Sequence, residues 1–256
     1  MQRLEGKVAV VTGGGSGIGR AISLRLASEG ATVVIGDINA AGAAETASLI
    51  AAQETSPEAA PRALDVTSYD SAAALAESVR SEFGRVDILV NNAGWDRIIP
   101  FLKTEPDFWD KVIAINLRGV IHCTHAMLPA MVEQGGGAIV TISSDAGRVG
   151  SSGEAVYSAC KAGVIGFTKT VAREMARHQI RLNVVCPGPT NTPLVDEITA
   201  GENGAKIIAA MTRAVPFGRM GEPDDIAGAV AFFASDDASF CTGQVLSVSG
   251  GLSMVG

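Results

Sequence analysis

Tyr157 and Lys161 stand four residues apart in the segment V-Y-S-A-C-K-A-G. On a helix that spacing puts both on one face. An ammonium beside a phenol favours the phenolate and draws its pKa from about 10 toward neutrality. Such a pair can take or give a proton at working pH. The chain has only two tyrosines, so composition does not make the pairing commonplace. Taken alone, the same spacing also describes an ordinary helix face.

A second group of residues is suited to an anion. T-G-G-G-S-G-I-G runs from Thr12 to Gly19. Gly13, Gly17 and Gly19 have the spacing G-x-x-x-G-x-G, between an apolar run and a helical stretch. Glycines there permit a tight turn and close approach of a phosphate to backbone N–H groups, at a helix N-terminus. Asp37 follows the second apolar run, 24 residues after Gly13. A carboxylate at that place accepts from ribose hydroxyls and repels a 2′-phosphate. Ser16 offers no cation for that phosphate. Together they favour NAD over NADP.

Alternating elements must position these residues. K-V-A-V-V-T, Lys7 to Thr12, is a β-branched run of the kind found in a buried strand. Further strands are expected at Ala31–Gly36, Ala63–Val66, Val86–Val90, Ala138–Ser143, Ile180–Cys186 and Gln244–Val248. Helices are expected at Gly17–Ala27, Ala40–Gln53, Ser71–Phe83, about Asp107–Glu133, Val156–Arg177 and Asp224–Ala234. About seven strands alternate with six or seven helices. That order predicts an α/β fold in one domain, a parallel sheet with helices on both faces. Residues 188–216 break the rhythm with prolines and glycines, including Gly201 and Gly204. They leave the carboxyl end of a strand, where such sheets bind ligands, and are read as a substrate lid. A structural excursion at a subunit contact is the alternative.

Composition narrows the rest. The net charge is −7 with no cluster of Lys and Arg, which argues against nucleic acid. The longest apolar stretch, Ile226 to Ala234, is far below the roughly 18 residues of a membrane span. The run Val8 to Val11 is too short for a signal-peptide core. Cys123, Cys160, Cys186 and Cys241 show no C-x-x-C spacing and read as free thiols of a reducing, cytoplasmic compartment.

T-G-G-G-S-G-I-G, N-N-A-G at Asn91 to Gly94, Y-S-A-C-K at Tyr157 to Lys161 and P-G-P-T-N-T at Pro187 to Thr192 follow one another in a familiar order. In this the chain resembles the short-chain dehydrogenase/reductase family over nearly its whole length. The resemblance implies a Rossmann fold with a seven-stranded parallel sheet. It implies a catalytic set of Asn116, Ser144, Tyr157 and Lys161. Ser143 is the adjacent candidate for the serine, which strand alternation would point elsewhere. In that set Tyr157 exchanges the proton of a substrate hydroxyl and Ser144 hydrogen-bonds the same oxygen. Lys161 lowers the phenol's pKa and Asn116 relays protons through water. The implied NAD contacts are Gly13, Gly15, Ser16, Gly17, Ile18, Gly19, Asp37, Asp65, Val66, Asn91, Ala93, Gly94, Tyr157, Lys161, Pro187, Gly188, Thr190 and Thr192. A homotetramer through two late helices and the last strand is implied too.

W-D at Trp95 and Asp96, and S-D-A-G-R-V-G-S-S-G-E-A-V-Y from Ser144 to Tyr157, narrow the likeness to 2-hydroxycyclohexane-carboxyl-CoA dehydrogenases. The alternatives are a 3-oxoacyl-(acyl-carrier-protein) reductase, a free-alcohol dehydrogenase, or a non-catalytic NAD-binding module. Trp95, Val149 and Leu194 are expected as apolar substrate walls. Arg97 and Arg148 are placed to meet CoA phosphates, since arginine binds phosphate bidentately; solvated surface arginines are the alternative. Asp145 and Glu154 either shape a polar pocket or cap turns. His122 and His125, three residues apart, lack a third ligand, and helix packing explains them better than a metal.

Overall fold

The structure, a computed structural model, describes residues 2–53, 57–200 and 204–255. Its frame is one parallel sheet of seven strands: β1 (Val8–Thr12), β2 (Thr32–Asp37), β3 (Ala59–Ala63), β4 (Ile88–Asn91), β5 (Gly137–Ile142), β6 (Ile180–Pro187) and β7 (Val245–Val248). Their order is β3-β2-β1-β4-β5-β6-β7. The order reverses between β1 and β4, and in an open sheet such a switch point opens a crevice at the carboxyl ends.

Strand alternation divides the core. Ala9 and Val11 join a cluster on one face with Ile22, Leu26, Ile226 and Val230. Val8 and Val10 join the other with Leu75, Val79, Met127 and Met131. Every residue of β1 is buried, because helices cover both faces. On the first face lie α1 (Gly17–Ser28), α2 (Ala40–Ala51) and α10 (Pro223–Ala234). On the second lie α3 (Tyr69–Phe83) and the helices after β4. The Asn39 side chain caps α2 by accepting from Gly42 N at 3.2 Å, and Ser68 caps α3 by accepting from Ser71 N at 3.2 Å.

Two expectations change. The third strand is not Ala63–Val66 but Ala59–Ala63, which contains Pro61. It is the edge strand beside β2, where a residue without an N–H is tolerated. Leu64 and Val66 are buried in the turn that follows, so their apolarity marks the core rather than a strand. The helix expected over about 107–133 is interrupted. It divides into α4 (Pro106–Ile113), a π-helical turn at Ala114–Arg118 and α5 (Gly119–Gln134). A π turn inserts one residue without changing composition, and such turns recur at functional sites.

The remaining helices are α6 (Ala146–Val149), α7 (Ala155–Met175), α8 (Pro193–Thr199) and α9 (Gly204–Ala214). Helices α8 and α9 occupy the segment read as a lid; residues 201–203 of that segment, Gly201 among them, lie outside the described residues. No helix among the described residues is long and apolar enough to cross a membrane.

Candidate active site

A cleft of about 850 Å³ runs over the carboxyl ends of the strands. One end is built by the turn between β1 and α1. Gly17 has φ +50°, in the left-handed region that favours glycine. A Cβ on Gly19 would lie 2.0 Å from Gly13 O, so only glycine lets the turn close on itself. Gly13, Ser16, Gly17, Ile18 and Gly19 line the cleft, as do Asp37, Asp65 and Val66. The Asp37 carboxylate is held by two backbone donors, Gly15 N and Asn39 N, each at 2.8 Å. Gly15 meets the cleft through this hydrogen bond to the Asp37 carboxylate.

The middle of the cleft is the exit of β4. Ala93 and Gly94 line it, and so does Asn92, which the sequence reading left out. Asn92 Nδ2 donates to Thr12 O and Gly13 O, both at 3.0 Å, and so fastens β4 to the glycine turn. Asn91 is the correction. Its Nδ2 donates to Thr124 Oγ1 at 3.0 Å, away from the cleft toward α5. Consecutive residues of a strand face opposite sides, so only one of the two asparagines can face the ligand side. That alternation was the signal available in the sequence.

At the far end, Ser144, Tyr157 and Lys161 meet. Ser143 turns back, its Oγ donating to Lys161 O at 2.7 Å, while Ser144 lines the cleft with Tyr157, its Oγ accepting from Ala146 N at 3.1 Å. Lys161 is buried, its Nζ 5.4 Å from the Tyr157 ring centre and donating to Ile142 O at 2.9 Å. Asn116, in the π turn, is wholly buried behind Gly94. Its Oδ1 accepts from Trp95 N at 3.2 Å, and its Nδ2 donates to Trp95 O at 2.7 Å and Val112 O at 2.9 Å.

The phenol's charge state differs from expectation. Burial pushes it above its ordinary range, the Glu154 and Asp96 charges push it further, and the nearby Ser144 hydroxyl works against them. Lys161 is itself pushed down to about 8 by burial. The expected fall of the phenol toward neutrality is therefore not produced by these side chains.

Trp95, Val149 and Leu194 line the substrate end, with Pro187, Gly188, Thr190 and Thr192 along the wall that β6 leads into. Arg148 does not line it. Its guanidinium donates to Ser247 Oγ at 2.7 Å and to Val255 O, tying α6 to the C-terminal segment. A partner some hundred residues away is invisible to local sequence reading. Arg97 is exposed, 3.8 Å from Glu197 of α8, with its guanidinium carbon 5.5 Å from the centre of the Trp95 ring. Asp145 accepts from Ser247 Oγ, and Glu154 lines the cleft. The Nδ1 of His122 pairs with Val66 O at 3.0 Å and that of His125 with Tyr69 Oη at 2.9 Å.

The fold and cleft define a nucleotide-binding oxidoreductase of the Rossmann type. The chain matches the family described as enoyl-(acyl carrier protein) reductase over residues 13–253. A 3-oxoacyl-(acyl-carrier-protein) reductase of Thermotoga maritima is 42% identical over 98% of this chain and 99% of its own length. A human (3R)-3-hydroxyacyl-CoA dehydrogenase is 43% identical over 98% and 97%. The crystal structure of levodione reductase superposes with a TM-score of 0.94 at 35% identity, covering 97% of this chain and 98% of that one. The chain belongs to the short-chain dehydrogenase/reductase family, oxidoreductases acting on CH–OH groups that generally use nicotinamide cofactors.

Proposed function

We propose that this enzyme is an NAD-dependent dehydrogenase interconverting a secondary alcohol and a ketone on a hydroxyacyl thioester, with 2-hydroxycyclohexane-carboxyl-CoA as first candidate. The observation that carries the reaction is the convergence of Ser144, Tyr157 and Lys161 in the same cleft as the glycine turn and Asp37. The glycine turn and the α1 N-terminus would hold the pyrophosphate, and Asp37 the adenosine ribose. When bound, the nicotinamide accepts or gives the hydride. Tyr157 takes the proton of the substrate hydroxyl. Ser144 stabilises charge developing on that oxygen. Lys161 and Asn116 support Tyr157 from behind, with Asn116 fixing the backbone at Trp95.

The chain reads as one folding unit with a lid at about 188–216, whose Leu194 and Met211 reach the cleft. A homotetramer is supported by the exposed small residues Ala162, Gly163 and Gly166 on α7 and by the fully exposed Phe240. A cytoplasmic location is supported by the four free cysteines. The second reading, an acyl-carrier-protein reductase, is favoured by the Thermotoga relative. Asp37 and Ser16 weigh against the 2′-phosphate of NADPH. The test is initial NADH formation with 2-hydroxycyclohexane-carboxyl-CoA, 3-hydroxybutyryl-CoA and the matching free acids and alcohols, with NADP in parallel. High kcat/KM for a thioester, lost without CoA, supports the proposal. Activity on free alcohols alone discards the thioester, and a preference for NADP discards NAD.

A further inference from the structure

Asp96 is 2% exposed, yet its Oδ2 has no hydrogen-bond donor from any described residue. It lines the cleft beside Trp95, as Glu154 does, and the two also line a second small pocket with Gly153 and Tyr157, close enough for the Glu154 charge to be felt at Asp96. The encounter is built into the backbone. Ile99 N donates to Gly153 O at 2.9 Å, so the loop after β4 docks on the residue preceding Glu154. Trp95 is fixed on both its backbone groups by Asn116.

The cations nearby are used elsewhere. The Arg97 side chain turns to Glu197 and the Trp95 ring, leaving only its backbone for Asp96. Lys111 of α4 places its Nζ 3.7 Å from the centre of the Trp95 ring. Lys161 of α7 donates to Ile142 O and acts on Asp96 only from a distance. Tyr157 and Cys160 complete the titratable groups of α7 near the pair. Two carboxyls lining one cleft without a cation between them ionise together only at a cost, and that cost adds to burial in raising Asp96.

We propose that Asp96 and Glu154 form a proton-sharing carboxyl pair that sets substrate specificity, accepting a neutral hydrogen-bonding group beside the reacting carbon and excluding a free carboxylate. The inference rests on the reading that Tyr157 marks the place of the reacting carbon, and it deepens that reading. An esterified or thioesterified acyl group is neutral where the pair faces it; the corresponding hydroxy acid brings a second negative charge. The same pair raises the Tyr157 phenol, so it lies close enough for its charge to be felt at the reacting end. Burial foremost, then the Glu154 charge, pushes the Asp96 carboxyl up to about 7.

The experiment compares methyl 3-hydroxybutyrate with 3-hydroxybutyrate, and the methyl ester of 2-hydroxycyclohexane-carboxylate with its free acid. The wild type and the Asp96→Asn and Glu154→Gln variants are measured between about pH 6 and pH 8.5, across the range in which a raised carboxyl titrates. Wild type is expected to favour esters by about tenfold or more in kcat/KM, a single-charge effect in a partly buried site. That preference weakens toward low pH; Asp96→Asn reduces it about tenfold with no remaining slope, and Glu154→Gln, which keeps the buried Asp96, reduces it with a shallower slope. Because both substrates use Tyr157, its own titration cancels in the ratio. An unchanged ratio in both folded variants, or equal use of acid and ester by wild type, overturns the proposal. Infrared difference spectra provide a readout independent of turnover: the band of a protonated buried carboxylic acid, present at low pH, disappears in Asp96→Asn. If no substrate is oxidised, the proposed reaction fails while the pair is still judged by this band, whose absence in wild type overturns it.

Discussion

Replacing Asp37 by Ser tests the cofactor assignment most directly. The carboxylate is held at 2.8 Å by Gly15 N and at 2.8 Å by Asn39 N, so it cannot swing out of the way of a ligand. A 2′-phosphate placed against it would bring like charges within about 4 Å. At an effective dielectric near 20 that costs about 4 kcal/mol, before screening by salt reduces it. Loss of the carboxylate also removes a charged acceptor for ribose hydroxyls, worth about 1.5–3 kcal/mol. Asp37→Ser is therefore expected to raise kcat/KM with NADP by roughly two orders of magnitude and to lower it with NAD by roughly tenfold to a hundredfold. The assay is initial rate with both cofactors at fixed substrate, beside a thermal melt to show that the Gly15 turn survives. A folded variant with an unchanged NAD-to-NADP ratio would refute the ribose assignment.

Tyr157→Phe removes the proton acceptor and is expected to lower kcat by roughly 100-fold to 10,000-fold while NADH affinity, read by fluorescence titration, stays the same. Gly19→Ala forces a Cβ to within 2.0 Å of Gly13 O and 2.5 Å of Asn92 Nδ2. It is expected to cost about 1–3 kcal/mol, lowering Tm by several degrees and abolishing the stabilisation that NADH gives in the same melt. Arg148→Ala breaks the tie to Ser247 and Val255 rather than a phosphate contact. It is expected to leave acyl-CoA KM within about twofold and to lower Tm by a few degrees; a large rise in KM with Tm unchanged would restore the phosphate role.

Legibility in the sequence followed the physics of burial. Strands β1 and β2 are covered on both faces, so they are continuous apolar runs that announce themselves. Strand β3 reads A-A-P-R-A and is a strand only because β2 offers it a partner at the sheet edge. The glycine turn and the Tyr157–Lys161 spacing are local, and both appear where the sequence put them. Arg148 failed because its partner Ser247 is 99 residues away. The Tyr157 charge state failed because proximity of Lys161 was weighed without desolvation, which dominates at both residues. Asp96 was visible as a residue type after Trp95. Its burial, and Glu154 opposite, belong to the docking of two loops that no local pattern records.

The segment from Asn91 to Asp96 joins the two ends of the cleft. Asn92 grips the glycine turn, Asn116 grips Trp95, and Asp96 meets Glu154 one turn before Tyr157. With its ends fastened, a shift in the segment moves the cofactor wall and the acid pair together. The π turn is what allows this. It places Asn116 so that its amide satisfies both backbone groups of Trp95 and still reaches Val112 O, a carbonyl of the preceding helical turn. A regular helix through Ala114–Arg118 would rotate Asn116 relative to α4 and release Trp95. The substrate filter and the cofactor wall therefore depend on one inserted residue in a helix whose Lys111 and Ile115 line the same cleft.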